Sequence, residues 1–480
     1  MTDTTQNRWA ALYVLCAGML MIILDGTIVN VALPSIQEDL GFSQSSLAWV
    51  VNAYLIALGG LLLLAGRVGD LLGRRRIYLA GLALFTAASL LCGVSGSQEM
   101  LIAARFVQGV GGAMASAVVL GMIVTMFPEP REQAKAIGIY AFVASAGASI
   151  GLLAGGVLTQ AINWHWIFFV NVPIGFVAAA LAVRLVADDR GIGLGRGADL
   201  AGAVLVTGAL MLGVYTIVEV PGHGWGSTHT LGFGAVSLAL LAAFVARQAT
   251  AADPLLPLRI FRSRNVAGAN AIQFLMVAGM FGMFFIGVLL MQRVLGYDAI
   301  ETGLAFLPVS VGIGVLSLFF APRLTLRFGE RAVLIPALAL LVAGLAWLTR
   351  VPADASYWVD LMPSMVLLGV GAGLTFPALS TLAMSGATQS DAGLASGLLN
   401  TTVQVGGAVG LAVLATLSTE HTAGRLAEGE AATSALTSGY QLAFTISAVL
   451  LVVAIALAAA VLERPRRQEA VVAEPAYDMS

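Results

Sequence analysis

Gly66-Arg-Val-Gly-Asp70-Leu-Leu-Gly73-Arg-Arg-Arg76 and Pro322-Arg-Leu-Thr-Leu-Arg327-Phe-Gly329-Glu-Arg331 are two versions of one loop. Aligned on Gly73 and Gly329, which lie 256 residues apart, both are arginine-rich and both turn on a glycine. Each follows the second of a series of long apolar runs. Outward from these two loops, the chain divides into six such runs, then two, then six more.

The runs have the length of membrane helices, which need about 20 apolar residues each. They begin with Ala10 to Leu33 and end with Leu442 to Leu462, and the shortest is Leu231 to Val245. The expected fold is therefore an all-α integral membrane protein of fourteen spans: a six-helix bundle over 1–186, two additional transmembrane helices over 187–250, a second six-helix bundle over 251–463, and a cytoplasmic tail over 464–480. Duplicated six-span halves are a transporter architecture, in which two bundles rock about a site near the bilayer midplane. The second loop has no acid to match Asp70, so the two copies need not contribute equally to gating.

Composition agrees. Of 480 residues, 59% are hydrophobic and 10% charged, with a mean hydropathy of +0.92, against about 25% charged residues in soluble domains. No basic stripe with interleaved aromatics points to nucleic acid. Cys16 and Cys92 lie in apolar runs and read as packing residues, and no Cys/His cluster has metal-ligand spacing. No loop is long enough to hold a catalytic domain, and no nucleophile constellation sits near an interface, so the chain does not read as an enzyme. The polar residues 1–9 lead into a first run that contains Asp25 and Asn30, which reads as a retained span rather than a cleaved signal.

Charge gives the spans a direction. With the N-terminus placed in the cytoplasm, 20 of the 24 basic residues fall on cytoplasmic connections; only Arg293, Arg350 and Arg425 fall outside, and Arg105 lies within a span. This is the positive-inside pattern, and it predicts a multi-pass protein of the cell membrane with both termini cytoplasmic.

Charges inside hydrocarbon are costly enough to mark function. Two sit well inside the runs, Asp25 in the first and Arg105 in the fourth. At about 1.5 Å per residue they lie roughly 12 Å and 6 to 8 Å from the same membrane surface, close enough to share a polar network. Asp25 is the candidate proton carrier and Arg105 its partner, the plain alternative being a permanent structural pair. Gln108 shares a helix face with Arg105. Asn30, Asn52, Tyr54, Gln108, Gln273, Asn400 and Gln404 are candidates for a substrate cavity, with helix-to-helix hydrogen bonding as the alternative for each. In the fifth run Gly147, Gly151 and Gly155 recur every four residues and, with Gly156, form a ridge for close helix approach.

These stretches together resemble the fourteen-helix drug:proton antiporters of the major facilitator superfamily, the QacA and EmrB type. Leu24-Asp25-Gly-Thr27-Ile-Val-Asn30-Val-Ala-Leu-Pro34 is similar to their first-helix motif, Gly66 to Arg76 to the superfamily's inner-loop motif, and Arg105-Phe-Val-Gln108-Gly109-Val-Gly111-Gly112 to the fourth-helix motif. Trp164-His-Trp-Ile-Phe-Phe-Val-Asn171-Val-Pro173-Ile-Gly175 resembles the entry to their sixth helix. The resemblance implies proton exchange at Asp25 and Arg105, and gating at Gly66, Asp70, Gly73, Arg74, Gly147, Gly151, Gly155 and Gly156. It implies a proton as the coupling ion with no other cofactor, and a monomer in lipid that exports small amphipathic or hydrophobic molecules. The fifth-helix antiporter motif is matched at Gly138, Gly147, Gly151, Gly155 and Gly156, but Leu152 stands where the family has proline, which removes a kink determinant. The other expectations from sequence are an exporter or importer of one specific metabolite, and a membrane receptor.

Overall fold

The computed structural model describes residues 2–189, 191, 199–252, 254–384 and 392–462. The tail at 464–480 and the basic positions 190 and 196 lie outside the described residues, as does the side chain of Leu152, while Gly138 is described only as part of its helix. All regular structure among the described residues is helical.

The N-terminal half comprises α1 (Thr2–Leu40), α2 (Gln44–Leu72), α3 (Arg74–Gly93), α4 (Gln98–Met126), α5 (Pro130–Ala161) and α6 (Trp166–Leu185). Next come α7 (Leu200–Val218) and α8 (Thr228–Thr250). The C-terminal half comprises α9 (Arg264–Val294), α10 (Ala299–Phe328), α11 (Glu330–Leu348), α12 (Tyr357–Met384), α13 (Ala392–Ala427) and α14 (Ala432–Val461). Twelve of these are long and apolar enough to cross a membrane, and α2, bent by 50° at Leu62–Leu64, makes thirteen if counted as one span. The fourteenth expected span falls on α5, a 32-residue helix whose side chains are described only in part.

Short polar connections start and stop the helices. Ser43 and Ser46 form a capping box on α2, Ser97 caps α4, and Asp298 with Glu301 makes a second capping box on α10. Each of these side chains satisfies a backbone N–H that the helix itself cannot. The two related loops turn alike. Gly73 (φ 105°) joins α2 to α3 and Gly329 (φ 83°) joins α10 to α11, both in the region that glycine alone enters at little cost. Asp189 then caps α3, its carboxylate accepting from the N–H groups of Arg74 (2.8 Å) and Arg75 (3.1 Å).

Glycine sets the closest helix approaches. A Cβ at Gly111 of α4 would lie 2.5 Å from the backbone nitrogen of Phe85 on α3. The α5 ridge packs along α1, where a Cβ at Gly151 would lie 2.0 Å from Thr27 Oγ1 and one at Gly155 2.5 Å from the Ile28 carbonyl. Gly156 meets the start of α10, with Ala299 O 2.6 Å from its virtual Cβ. The same ridge thus touches the Asp25 helix and the opposite half of the molecule.

The two additional helices occupy unlike positions. α7 lies against both halves: Gly60 of α2 faces Thr207, while Thr416 of α13 donates to the Ile217 carbonyl at 3.0 Å. α8 packs on α7, with Ser237 donating to Ala209 O at 2.8 Å. Its apolar window is only 11% buried against 78% for α9, so α8 is an outer helix and α9 a central one. The short run expected at Leu231 to Val245 is accordingly a full-length helix with most of its surface turned outward.

Candidate functional site

The charge that α1 carries into the interior is met directly by two helices, α4 and α6, with α2 and α3 behind them. Asp25 is fully buried. Its Oδ2 accepts from Arg105 Nη1 of α4 at 2.5 Å, and its Oδ1 accepts from Gln108 Nε2 of α4 and Asn171 Nδ2 of α6, both at 2.8 Å. Ser89 of α3 closes the set, accepting from Gln108 Nε2 (3.1 Å) and Asn171 Nδ2 (3.0 Å) while donating to the Phe168 carbonyl (2.9 Å). Arg105 also donates through Nε to Val50 O at 2.9 Å and through Nη1 to Gln108 Oε1 at 2.7 Å. Its guanidinium lies 4.3 Å from the centre of the Tyr54 ring and 5.6 Å from that of Phe168, an arrangement that stabilises a desolvated cation.

Such a pair costs several kcal/mol per ion to bury and holds only where hydrogen bonds fill the remaining valences. Here the carboxylate has three donors. Two buried polar atoms in the network lack a protein partner, Arg105 Nη2 and Asn171 Oδ1.

Beside this network lies a cavity of about 2260 Å³, larger than the 300 to 1,000 Å³ of ordinary ligand pockets. Both halves line it. From α1 come Met19, Ile22, Ile23, Gly26, Thr27 and Asn30, the i, i+3, i+4, i+7 spacing of one helix face. Asp25 points about 130° away from the centre of that face at 100° per residue. Tyr54 is the partition between the two, lining the cavity, covering Arg105 and donating to the Ile22 carbonyl at 3.2 Å. Of the expected cavity residues, Asn30, Tyr54, Asn400 and Gln404 line it. Gln108 belongs to the ion-pair network instead, and Asn52 and Gln273 are buried between helices outside the cavity, Asn52 with both amide atoms unpartnered.

The cavity reaches one end of the molecule. Its charged lining residues are Arg67, Asp70, Arg74 and Arg259, all at the end where Arg8 reaches Glu132 and Arg75 reaches Asp188. Gly66 also lines it. Asp70 pairs with Arg74 at 2.9 Å, and Arg74 donates to Gly121 O (3.0 Å) and Thr125 Oγ1 (2.9 Å) of α4. These contacts stay within the N-terminal half.

At the opposite end the halves are joined. Gln292 donates to Val31 O at 3.0 Å, Arg293 to Gln37, and Gln160 to Asp298 at 2.9 Å. The Glu301 N–H is the largest influence on Asp298; burial opposes it, and Gln160 adds to it. The net effect holds the Asp298 carboxyl below the usual carboxylate range. At the basic end burial pushes Asp199 up, but hydrogen bonds from Arg247, the Gly202 N–H and Gln248 outweigh it and hold that carboxyl low too.

Neither Ser89 nor Asn171 is marked as a site residue by sequence alone. Ser89 is one small hydroxyl in an apolar run, indistinguishable there from a packing residue. Asn171 sits within the stretch from Trp164 to Gly175, where an amide amid Phe168, Phe169 and Ile174 is the available signal.

Comparison with known proteins places the chain. The family model of the Major Facilitator Superfamily matches residues 15–411. The chain is 40% identical to the puromycin resistance protein of Streptomyces alboniger over 95% of its own length and 90% of that protein's. It is 39% identical to the cephamycin export protein of Amycolatopsis lactamdurans, over 89% and 88%. To the tetracenomycin C resistance and export protein of Streptomyces glaucescens it is 34% identical, over 85% and 76%. Among solved structures it resembles the nucleoside transporter NupG (TM-score 0.64, 12% identity, 93% of this chain and 99% of that one). It also resembles a bacterial homologue of the lysosomal transporter Spinster in an inward-facing conformation (TM-score 0.61, 18% identity, 94% and 96%). These two likenesses concern the fold.

Proposed function

The chain belongs to the Major Facilitator Superfamily, whose members here are multi-pass transporters rather than enzymes, and from that premise we propose that it is a proton-driven exporter of small amphipathic or hydrophobic drugs. The observation that carries this reading is the two-sided α1. One face holds Asp25 in a sealed polar network, and the other lines a cavity large enough for a drug. A change in the charge of Asp25 alters what holds α1 to α4 and α6, and α1 transmits that change to the cavity wall.

The basic end is the cytoplasmic one, because cytoplasmic loops carry the excess of arginine. The conformation is then inward-facing: open toward Arg67 and Arg259, closed where Gln160 meets Asp298. Fourteen spans follow when α2 and α5 are counted with the twelve, and both termini are cytoplasmic. The protein works as a monomer in the lipid of the cell membrane, and the proton is its coupling ion.

Substrate enters from the cytoplasm, the halves rock on the Gly151 to Gly156 ridge, and substrate leaves outward as Asp25 takes a proton. Return delivers that proton inward. The cavity's charged lining residues all stand at the mouth, so its deeper wall, with Tyr54, Phe281, Phe284, Asn30 and Gln404, suits neutral or weakly charged molecules. The names of the relatives point the same way, toward antibiotics. The test is gradient-driven flux of puromycin, a cephamycin and tetracenomycin C in proteoliposomes, comparing the wild type with Asp25→Asn and Arg105→Ala. Undiminished gradient-driven flux in Asp25→Asn sinks the proton site.

A further inference from the structure

The unpartnered Oδ1 of Asn171 is the one hydrogen-bond acceptor left over among the groups that touch Asp25. The three contacts on the carboxylate come from Arg105 Nη1, Gln108 Nε2 and Asn171 Nδ2. Arginine has no acceptor to offer. The acceptor of Gln108, Oε1, already receives Arg105 Nη1 at 2.7 Å and Cys92 Sγ at 3.6 Å. Asn171 Oδ1 receives nothing, though Asn171 is fully buried. An orphaned buried acceptor is uncommon and costly.

Its cost has a use when Asp25 is neutral. As a carboxylate, Asp25 needs only donors, and the observed amide orientation supplies one. Turned over, the amide would set two acceptors about 2.8 Å apart, so the ionised carboxylate selects the Nδ2-in orientation. Once a proton sits on Asp25 Oδ1, that oxygen becomes a donor in need of an acceptor. A half-turn about the terminal torsion of Asn171, a broad and roughly two-fold rotation, brings Oδ1 into the place Nδ2 held. Arg105 stays on Oδ2 throughout.

We propose that the Asn171 side-chain amide is the positioning group that serves both protonation states of Asp25, donating through Nδ2 to the carboxylate and, turned over, accepting the acid proton through Oδ1. This rests on the reading of Asp25 as the proton carrier. The proton comes from the aqueous side, binds Asp25 Oδ1 and leaves from the same atom, and Asn171 neither gains nor loses one. Among the described residues, the titratable groups in electrostatic range of Asp25 are Arg105 on α4, Tyr54 on α2 and Cys92 on α3. Tyr54 and Cys92 direct their hydrogens to Ile22 O and Gln108 Oε1. Turning Asn171 exchanges its contact to Ser89, whose hydroxyl now donates to Phe168 O, so α3 and α6 register the protonation state as well as α1.

The test is acid-minus-alkaline infrared difference spectroscopy on the reconstituted full chain, with Asp25→Asn to assign the carboxyl band. Asn171→Thr and Asn171→Val are matched in shape, and only threonine can both donate and accept. The wild type is expected to show an asparagine amide band that changes together with the Asp25 acid band. In Asn171→Val the amide band is lost and the Asp25 carbonyl stretch shifts to the higher frequency of an acid without an acceptor; in Asn171→Thr the carbonyl stays at the hydrogen-bonded position. If Asn171→Val does not fold, isotope-labelled asparagine in the wild type decides, because its amide band either follows the Asp25 band or does not. An Asp25 band that Asn171→Val leaves unmoved, or an amide band indifferent to pH, overturns the role of Asn171 alone. No Asp25 acid band at any pH in the wild type overturns the proton reading and this inference with it.

Discussion

Replacing Asp25 by leucine leaves Arg105 fully buried without its counter-charge, and the structure sets the expected cost. The Arg105 guanidinium keeps two neutral acceptors, Val50 O and Gln108 Oε1, and the face of Tyr54, but loses the charge-assisted bond to Asp25. Breaking one member of a buried pair costs about 3 to 5 kcal/mol, whereas replacing both by apolar groups of similar size is often neutral. Asp25→Leu should therefore be destabilised by about 3 kcal/mol or more, and Asp25→Leu combined with Arg105→Met by clearly less than the sum of the two single changes. The assay is reversible unfolding in mixed micelles for the wild type, both single variants and the double variant. A coupling of at least about 2 kcal/mol is expected, since the side chains touch and share one network. Additivity within about 0.5 kcal/mol would show that the two charges are energetically independent, and the buried pair would lose its place at the centre of the site.

Three further outcomes follow from the geometry. Gly155→Ala puts a methyl 2.5 Å from the Ile28 carbonyl; the resulting overpacking should cost about 1 to 3 kcal/mol and slow transport, as read by thermal unfolding and flux together. Gly73→Ala places a side chain at φ 105° and 2.6 Å from Asp189 O, so it should destabilise by about 1 kcal/mol or more, while Arg76→Ala at an exposed position in the first turn of α3 should not. Asp298 is held below the ordinary carboxylate range, so its stabilising contribution is complete above that range and fades as pH falls through the lowered value. Acid should therefore loosen the Gln160–Asp298 contact, seen as lengthening between spin labels at Ala161 and Ile300, and Asp298→Asn should remove that pH dependence.

Much of this arrangement could be read from residue order, and the boundary of what could is physical. Apolar length and arginine placement report what the lipid and the membrane surfaces require of each segment separately, so the helices from α3 to α14 were placed by them. Of the fourteen expected spans, twelve correspond to membrane-length apolar helices, and the bent α2 makes a thirteenth if counted as one span. The Asp25–Arg105 pair was legible because a buried charge needs a partner and both lie near one depth. Which way a neutral amide faces depends on neighbours that only the bundle supplies. Asn52 and Gln273 turn into helix contacts, and Asn400 and Gln404 into the cavity, with no local signal to separate them. The division of α1 was nearer to hand: Asp25 and Thr27 are about 160° apart on a helical wheel, enough to put the charge and the cavity on different faces. Ser89 and Asn171 belong to the site through helices α3 and α6, whose approach to α1 no single stretch of sequence records.

In the proposed cycle, the state of Asp25 governs movement of a drug through the cavity on the other side of α1. The most direct test is puromycin flux into inside-out proteoliposomes driven by an imposed lumen-acid proton gradient, with internal pH followed in the same vesicles. Drug accumulation accompanied by proton release from the vesicles is expected in the wild type, and loss of both in Asp25→Asn. Accumulation in Asp25→Asn equal to the wild type, with the proton flow intact, would contradict it.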